Sequence, residues 1–273
     1  MSNRENKLKK TLLTITAITL AFTITSCGSK SETTHMNHNA TMKAMPGMAA
    51  AGGGSYLDES IPAEVLSLQL QDQDGRSFTL ESLKGKYLVV TNFLTSCQEI
   101  CPMTTANMRT IGNAVAASEL KDKVKVLEIS VDAQRDTPSR IAAYRNLYSD
   151  TTFSLVTGSE KDLKSLWTFF GAPATRMEFS AKEKAGLPMD WQTGKPPTYD
   201  MSHPDLVMII GPDSHWKWLD LGNPNPGKAS VPDKLKKFLS EDGLNNLAKP
   251  QEPSWSVEAV YSALHDLTGI HIS

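Results

Sequence analysis

The sequence of 273 residues contains three cysteines, Cys27, Cys97 and Cys101, so it can form one disulfide at most within a single chain. It has no excess of basic residues, since 28 lysines and arginines stand against 30 aspartates and glutamates. A nucleic-acid-binding protein would need a basic face, and that class is therefore disfavoured. Apolar residues still make up 40% of the chain and charged residues 21%, which is enough for a sizeable packed domain.

The N-terminal segment, residues 1–27, has the pattern of an export signal. Basic side chains at positions 4, 7, 9 and 10 precede Thr11–Ser26, an uncharged stretch that contains six threonines and is too short and polar for a typical spanning helix. It ends in Ile24-Thr25-Ser26-Cys27, which resembles a bacterial lipobox and implies cleavage before Cys27 and a lipid on its sulfur. The alternative is an uncleaved membrane anchor. Both interpretations place the protein at the cell membrane, facing the extracytoplasmic space.

Without residues 1–26 the chain carries 24 basic and 29 acidic side chains, a net charge of −5. Residues 28–55 are small and polar and predict a tether. This segment contains soft or borderline ligands suited to Cu(I), at His35, Met36, His38, Met42, Met45 and Met48. The alternative is that these methionines and histidines are incidental to a low-complexity linker.

Hydrophobic periodicity in residues 56–240 predicts an α/β domain with a mixed sheet flanked by helices. The predicted elements, in order, are a hairpin over 66–80, a buried strand over 87–94, a helix through Val115, a strand over 124–131, a helix opened by Asp136-Thr137-Pro138, a short strand over 152–156, a helix led by Ser159, a hairpin over 206–221 and a helix over 234–239. Residues 171–202 show no clear period. Residues 241–273 form a C-terminal extension with a helix capped by Ser256.

The sequence Cys97-Gln98-Glu99-Ile100-Cys101-Pro102 follows directly on the predicted buried strand, where a helix begins. Residues four apart share one helix face, so both sulfurs can reach a single metal ion. A helix N-terminus also favours the thiolate, which is the form that binds metals and attacks disulfides. The pair therefore indicates a metal site, a redox disulfide or both, and a purely structural disulfide remains an alternative. Thiol oxidoreductases usually have two residues between their cysteines rather than three.

Four motifs across residues 61–240 resemble the Sco (SenC) family of thioredoxin-like copper chaperones, which serve cytochrome c oxidase assembly. They are Cys-x-x-x-Cys-Pro at 97–102, Val131-Asp132 followed by Arg135-Asp136-Thr137-Pro138, Tyr199 four residues before His203, and Pro212-Asp213. The resemblance implies a thioredoxin-like fold and copper held by Cys97, Cys101 and His203. It also implies as partners the oxidase subunit that carries the dicopper site, and other copper chaperones or thiol reductases.

The sequence departs from the family pattern beside two of these ligands. Gln98 stands where members commonly have proline, and Ser202 stands where they commonly have aspartate before the histidine. The groups that orient the imidazole of His203 are therefore expected to differ. Asp132 and Asp136 are interpreted as helix caps, with partner docking as the alternative that the resemblance allows. His215 is predicted in an exposed turn, and His265 and His271 belong to no ligand pattern.

Three functions are compatible with these residues. The first is a metallochaperone that delivers copper to the dicopper centre of cytochrome c oxidase. The second is a membrane-tethered thiol–disulfide reductase that acts on the cysteines of the recipient. The third is a lipoprotein that senses or sequesters copper. The three-residue spacer, His203 and the tether favour copper, while thiols at a helix start suit either chemistry.

Overall fold

The computed structural model describes residues 53–149 and 152–273. The expected signal segment, Cys27 and the methionines and histidines of the tether lie outside the described residues. The strands are β1 (Ser55–Ser60), β2 (Leu70–Asp72), β3 (Ser77–Phe78), β4 (Tyr87–Phe93), β5 (Val124–Ser130), β6 (Ser154–Gly158), β7 (Thr175–Glu178), β8 (Tyr199–Ser202), β9 (Leu206–Ile210), β10 (His215–Leu221), β11 (Asn223–Pro224) and β12 (Ser254–Trp255). The helices are α1 (Ala63–Leu66), α2 (Cys101–Ala116), α3 (Pro138–Asn146), α4 (Glu160–Phe169), α5 (Ala181–Gly186), α6 (Asp233–Lys236), α7 (Glu241–Ala248) and α8 (Val257–Thr268).

Eight strands form one mixed sheet in the spatial order β1-β10-β9-β4-β5-β6-β2-β3. Strand β4 lies inside this sheet, parallel to β5 and antiparallel to β9. Its residues from Leu88 to Phe93 are all buried, which explains the nearly continuous apolar run in the sequence. The predicted thioredoxin-like α/β fold is confirmed. Across the described ranges, no helix has both the length and the apolar character needed to cross a membrane.

Most helix starts follow the capping patterns of the sequence. Ser159 and Ser256 each accept a hydrogen bond from the backbone N–H three residues later, at the starts of α4 and α8. The cap of α3 is Thr137, not Asp136. The prediction that Asp136 caps this helix is therefore wrong, because its carboxylate is buried and accepts hydrogen bonds from the loop after β4.

Residues 171–202 contain regular structure that their sequence does not show. Strands β7 and β8 pair antiparallel, with Thr175 opposite Ser202, and the short helix α5 lies between them along the chain. The predicted hairpin over 66–80 is shorter than expected, since the chain is helical up to Leu66 and only β2 and β3 pair. Pairing between such short strands depends on distant contacts, which periodicity does not record.

The C-terminal extension packs on the same fold. Strand β12 pairs parallel with β11, and α8 packs against α2. The Tyr261 hydroxyl lies 3.4 Å from the carbonyl oxygen of Thr110, and the Tyr87 hydroxyl donates to the carbonyl of Leu267 at 3.0 Å. The predicted helical character of residues 241–273 is confirmed, and this region is attached to both α2 and β4.

Candidate metal and thiol site

The two cysteines lie next to each other where β4 turns into α2. Both are free thiols and buried, with 9% of Cys97 and 1% of Cys101 exposed. The backbone N–H groups of Ile100 and Cys101 point at Cys97 Sγ, at 3.4 and 3.3 Å. Donors at a helix N-terminus stabilise negative charge on sulfur. Of the two cysteines, Cys97 is the more exposed, and its sulfur has two backbone donors.

Cys101 has a raised pKa. Burial is the largest cause, and the neighbouring Cys97 and the Asp205 carboxylate add to it. The Cys101 thiol therefore keeps its proton more firmly than an exposed cysteine would. A metal ion that binds there must displace this proton, so binding depends on pH.

His203 follows β8 and is buried, with 5% of its surface exposed. Its Nδ1 lies 3.2 Å from Asn92 Nδ2 and 3.1 Å from the carbonyl oxygen of Pro204. The Asp205 carboxylate is 3.4 Å from the same nitrogen. Because these contacts engage Nδ1, Nε2 is the ring nitrogen suited to a metal. Asn92 lies on β4, so the strand that leads to Cys97 also holds the histidine.

Asp205 connects the histidine to the thiols. It contacts His203 Nδ1 and raises the pKa of Cys101, so the β8–β9 junction and the start of α2 lie within electrostatic reach of each other. The motif pattern predicts no acid in this role, because Ser202 occupies the position before the histidine where the resembled family commonly has aspartate. The acid lies two residues after the histidine instead. A search for carboxylates on both sides of His203 would have found it.

A second cluster of candidate ligands lies elsewhere in the described residues. Ligand atoms of Asp58, Asp213 and His215 all lie within 4.8 Å of one another. The Lys217 Nζ lies 2.6 Å from Asp58 Oδ1 and 2.7 Å from Asp213 Oδ2. The lysine therefore supplies positive charge to this acidic cluster. His215 is half-buried and contacts Asp58 rather than being fully solvated as the sequence suggested.

The loop before Cys97 is hydrogen-bonded to Asp136, which lies just ahead of α3. The buried carboxylate of Asp136 accepts hydrogen bonds from the Thr95 N–H and hydroxyl and from the Ser130 hydroxyl. Burial raises the pKa of Asp136 to about 6, with nearby Asp132 adding to the shift. Asp136 therefore positions the thiol loop through Thr95.

Arg140 and Trp191 hold the same loop from another side. Arg140 Nε donates to the Thr95 hydroxyl at 2.6 Å, and its Nη2 donates to the Ser96 hydroxyl at 3.1 Å. The indole N–H of Trp191 donates to the carbonyl of Thr95 at 2.8 Å. An ion pair between Arg140 and Asp190 ties the 188–192 loop to this group. The residues ahead of Cys97 are consequently fixed on several sides.

Tyr199, four residues before His203, is fixed by charged side chains. Its hydroxyl donates to Asp132 at 2.9 Å, and the guanidinium carbons of Arg135 and Arg176 each lie 3.7 Å from the ring centroid. Asp132 also pairs with Arg135. The prediction that Asp132 caps a helix is wrong: it accepts a hydrogen bond from the Arg135 N–H at 3.3 Å, but residues 133–135 form a turn rather than a helix. Its carboxylate also supports the strand that precedes the histidine.

The SCO1/SenC family model matches residues 62–240, more than half of the chain. The chain belongs to the SCO1/SenC family. The matched range includes both cysteines and His203, and it ends just before α7.

Individual SCO1/SenC proteins match parts of the chain. The SCO1 protein homolog of Bacillus subtilis (strain 168) is 30% identical over 115 residues, covering 39% of this chain and 58% of that protein. The structure of Bradyrhizobium japonicum ScoI with copper bound is 25% identical, covers 63% of this chain and 97% of that one, and has a TM-score of 0.46. BsSco, described with a disulfide switch as a member of the Sco family of cytochrome c oxidase assembly proteins, is 22% identical, covers 68% and 94%, and has a TM-score of 0.44. The chain spans about three fifths of the length of the curated relatives it matches.

Replacing Asp205 by asparagine is expected to lower the pKa of Cys101. The variant removes one negative charge near the thiol, although burial, the larger cause of the raised pKa, remains. Thiolate formation, followed by ultraviolet absorbance, should then begin at lower pH than in the wild type. Asp233→Asn, at a site whose side chain is 90% exposed, is the control. An unchanged or higher pKa in D205N would contradict the assigned effect.

Proposed function

We propose that this chain is an extracytoplasmic copper-binding metallochaperone that delivers copper to the dicopper centre of cytochrome c oxidase. A lipid on Cys27 anchors it to the cell membrane, and Cys97, Cys101 and His203 bind the copper. The observation that carries the proposal is the pair of free thiols at the start of α2, coupled through Asp205 to a buried imidazole. Two thiolates and one imidazole suit Cu(I) and can also hold Cu(II). Membership of the SCO1/SenC family supports the oxidase as the recipient.

The ligand set also suits release of the metal. Three protein ligands leave a position from which a ligand of the recipient can attack. Transfer would start at Cys97, the more exposed of the two cysteines. Oxidation of the pair to a disulfide would remove both thiolates, so that copper binding depends on the thiol redox state.

A membrane-tethered thiol–disulfide reductase is the second candidate, favoured by the adjacent free thiols. The Cys97 thiolate would attack one sulfur of a disulfide in the recipient and release the recipient's other sulfur as a thiolate. The Cys101 thiolate would then displace the recipient's bound sulfur. This leaves a Cys97–Cys101 disulfide and a fully reduced recipient.

Replacement of His203 by alanine separates the two candidates. In cells that depend on this chain for oxidase assembly, H203A is expected to lose most of the dicopper signal of the oxidase. Exchange of the purified variant with a small disulfide should continue, because both thiols remain. If H203A supports normal oxidase assembly and activity follows only exchange competence, the copper proposal is wrong and the reductase is favoured.

A further inference from the structure

The loop between the two cysteines contacts Ser240, the last residue of the family match, just before the C-terminal extension begins. The Gln98 carbonyl accepts hydrogen bonds from the Ser240 N–H at 2.8 Å and the Ser240 hydroxyl at 3.2 Å. The side chain of Gln98 donates from Nε2 to the carbonyl of Pro188 at 2.7 Å. Gln98, which stands where proline is common in the family, therefore connects the thiol loop to two other segments.

The first turn of α7 lies directly against the same loop. A Cβ atom added at Gly243 would lie 2.2 Å from the Gln98 carbonyl oxygen and 3.1 Å from the Cα of Glu99. Both are backbone atoms, which cannot rotate away as the end of a long side chain can. Glycine is less favourable than alanine inside a helix. The close approach to the loop is the physical reason for a glycine at this position.

Helix α7 is itself anchored to the core, so its contact with the thiol loop can hold that loop in place. The preceding residues Leu235, Phe238 and Leu239 are buried in the core, and Asn246 of α7 is buried as well. The Ser240 hydroxyl accepts a hydrogen bond from the Gly243 N–H at 3.1 Å, which caps the helix. One residue, Ser240, thus caps α7 and donates to the loop between the cysteines.

We propose that Ser240 and Gly243 are positioning residues of the thiol site, and that the start of α7 sets the conformation of the Cys97–Cys101 loop. This inference rests on the proposed function, since it assigns the C-terminal extension a role toward the same ligands. Supporting groups around metal ligands change affinity by about 10–100-fold when they are lost. The free energy of disulfide formation also depends on the relative position of the two sulfurs.

The test replaces Gly243 by alanine in the full chain, purified in detergent. We expect Cu(I) affinity, measured by competition with a chelator, to fall by about tenfold or more, as for the loss of other supporting groups. The reduction potential of the cysteine pair, measured in thiol–disulfide buffers, should shift as well. Gly186→Ala is the matched control, because a Cβ there meets nothing within 4 Å. Leu244→Ala, at the 49%-exposed neighbour on α7, should also leave both properties unchanged.

A folded G243A protein with wild-type affinity and wild-type potential would overturn the inference. If G243A does not fold, Ser240→Ala decides instead, since it removes only the hydroxyl bonds, and unchanged values there also reject the inference. If the wild type binds no copper, the proposed function fails, but the potential of the pair still tests the role of α7. A shift seen in G243A and absent from G186A would then support that role by itself.

Discussion

Cu(I) affinity is expected to fall by about a thousandfold or more, equivalent to ~4 kcal/mol, when Cys101 is replaced by serine. A hydroxyl is a poor ligand for soft Cu(I), and its proton is not displaced near neutral pH. Cys97→Ser should have a comparable effect, because each variant leaves one thiolate and one imidazole. The measurement is chelator competition with the reduced full chain in detergent. The optical spectrum of the Cu(II) form should lose intensity in the thiolate-to-copper charge-transfer band, and its EPR spectrum should change with the altered ligand set.

The third cysteine provides a matched control for this experiment. Cys27→Ser should bind copper like the wild type, because Cys27 is not one of the proposed ligands. The same variant should no longer remain with the membrane fraction if a lipid on its sulfur is the anchor. Copper binding that survives in C101S, or disappears in C27S, would show that the ligands have been assigned wrongly.

The wild-type protein is expected to lose about 3 kcal/mol of stability between about pH 5 and pH 8 because of Glu128. This glutamate lies in the middle of β5, is fully buried, and accepts a hydrogen bond from the Thr105 hydroxyl at 2.8 Å. Burial raises its pKa to about 8, so the folded state keeps a proton that the unfolded chain releases above the ordinary glutamate pKa. The contribution of Glu128 to the free energy of unfolding is therefore fully present at low pH. It is lost as the pH rises through the folded-state pKa of Glu128.

Glu128→Gln should remove most of this pH dependence, because the amide stays neutral in both states. Urea unfolding of the wild type and E128Q at about pH 5 and pH 8 measures the difference directly. Glu119→Gln, at an exposed position, should show the same change in the free energy of unfolding with pH as the wild type. Asp136, with a pKa raised to about 6, contributes in the same direction but is present in all three proteins. If the free energy of unfolding changed with pH equally in the wild type and E128Q, Glu128 would already be ionised in the folded state.

The two candidate functions make different demands on the same loop. Copper binding needs three ligands at one point, and the structure holds His203 through Asn92 and Asp205 rather than directly through the thiol loop. Thiol exchange needs only the two sulfurs and access to Cys97, the less buried of the two cysteines. Replacing His203 itself therefore tests copper chemistry, while variants around Gln98 test both copper binding and thiol exchange. Comparing H203A with G243A therefore separates an effect on copper binding alone from an effect on both copper binding and thiol exchange.

The sequence by itself determined the features that depend on near neighbours along the chain. The apolar run at 87–94 predicted β4, because a strand covered on both faces needs apolar side chains at nearly every position. The caps at Ser159 and Ser256 were readable because a cap bonds to a residue only three positions away. The cysteine spacing and its place before a helix indicated the thiol site for the same local reason.

Only the tertiary structure decided which distant groups surround these residues. Nothing local indicates that Gln98 meets Ser240, or that Asn92 of β4 contacts His203. Glu128 would ordinarily face solvent, but both faces of β5 are covered from Val126 to Ser130, so its carboxyl group is buried. The pairing of β7 with β8 joins residues 27 apart at Thr175 and Ser202, and periodicity carries no record of such a partner. Hydrogen bonds and charge effects act through space, so they depend on packing that the order of residues does not display.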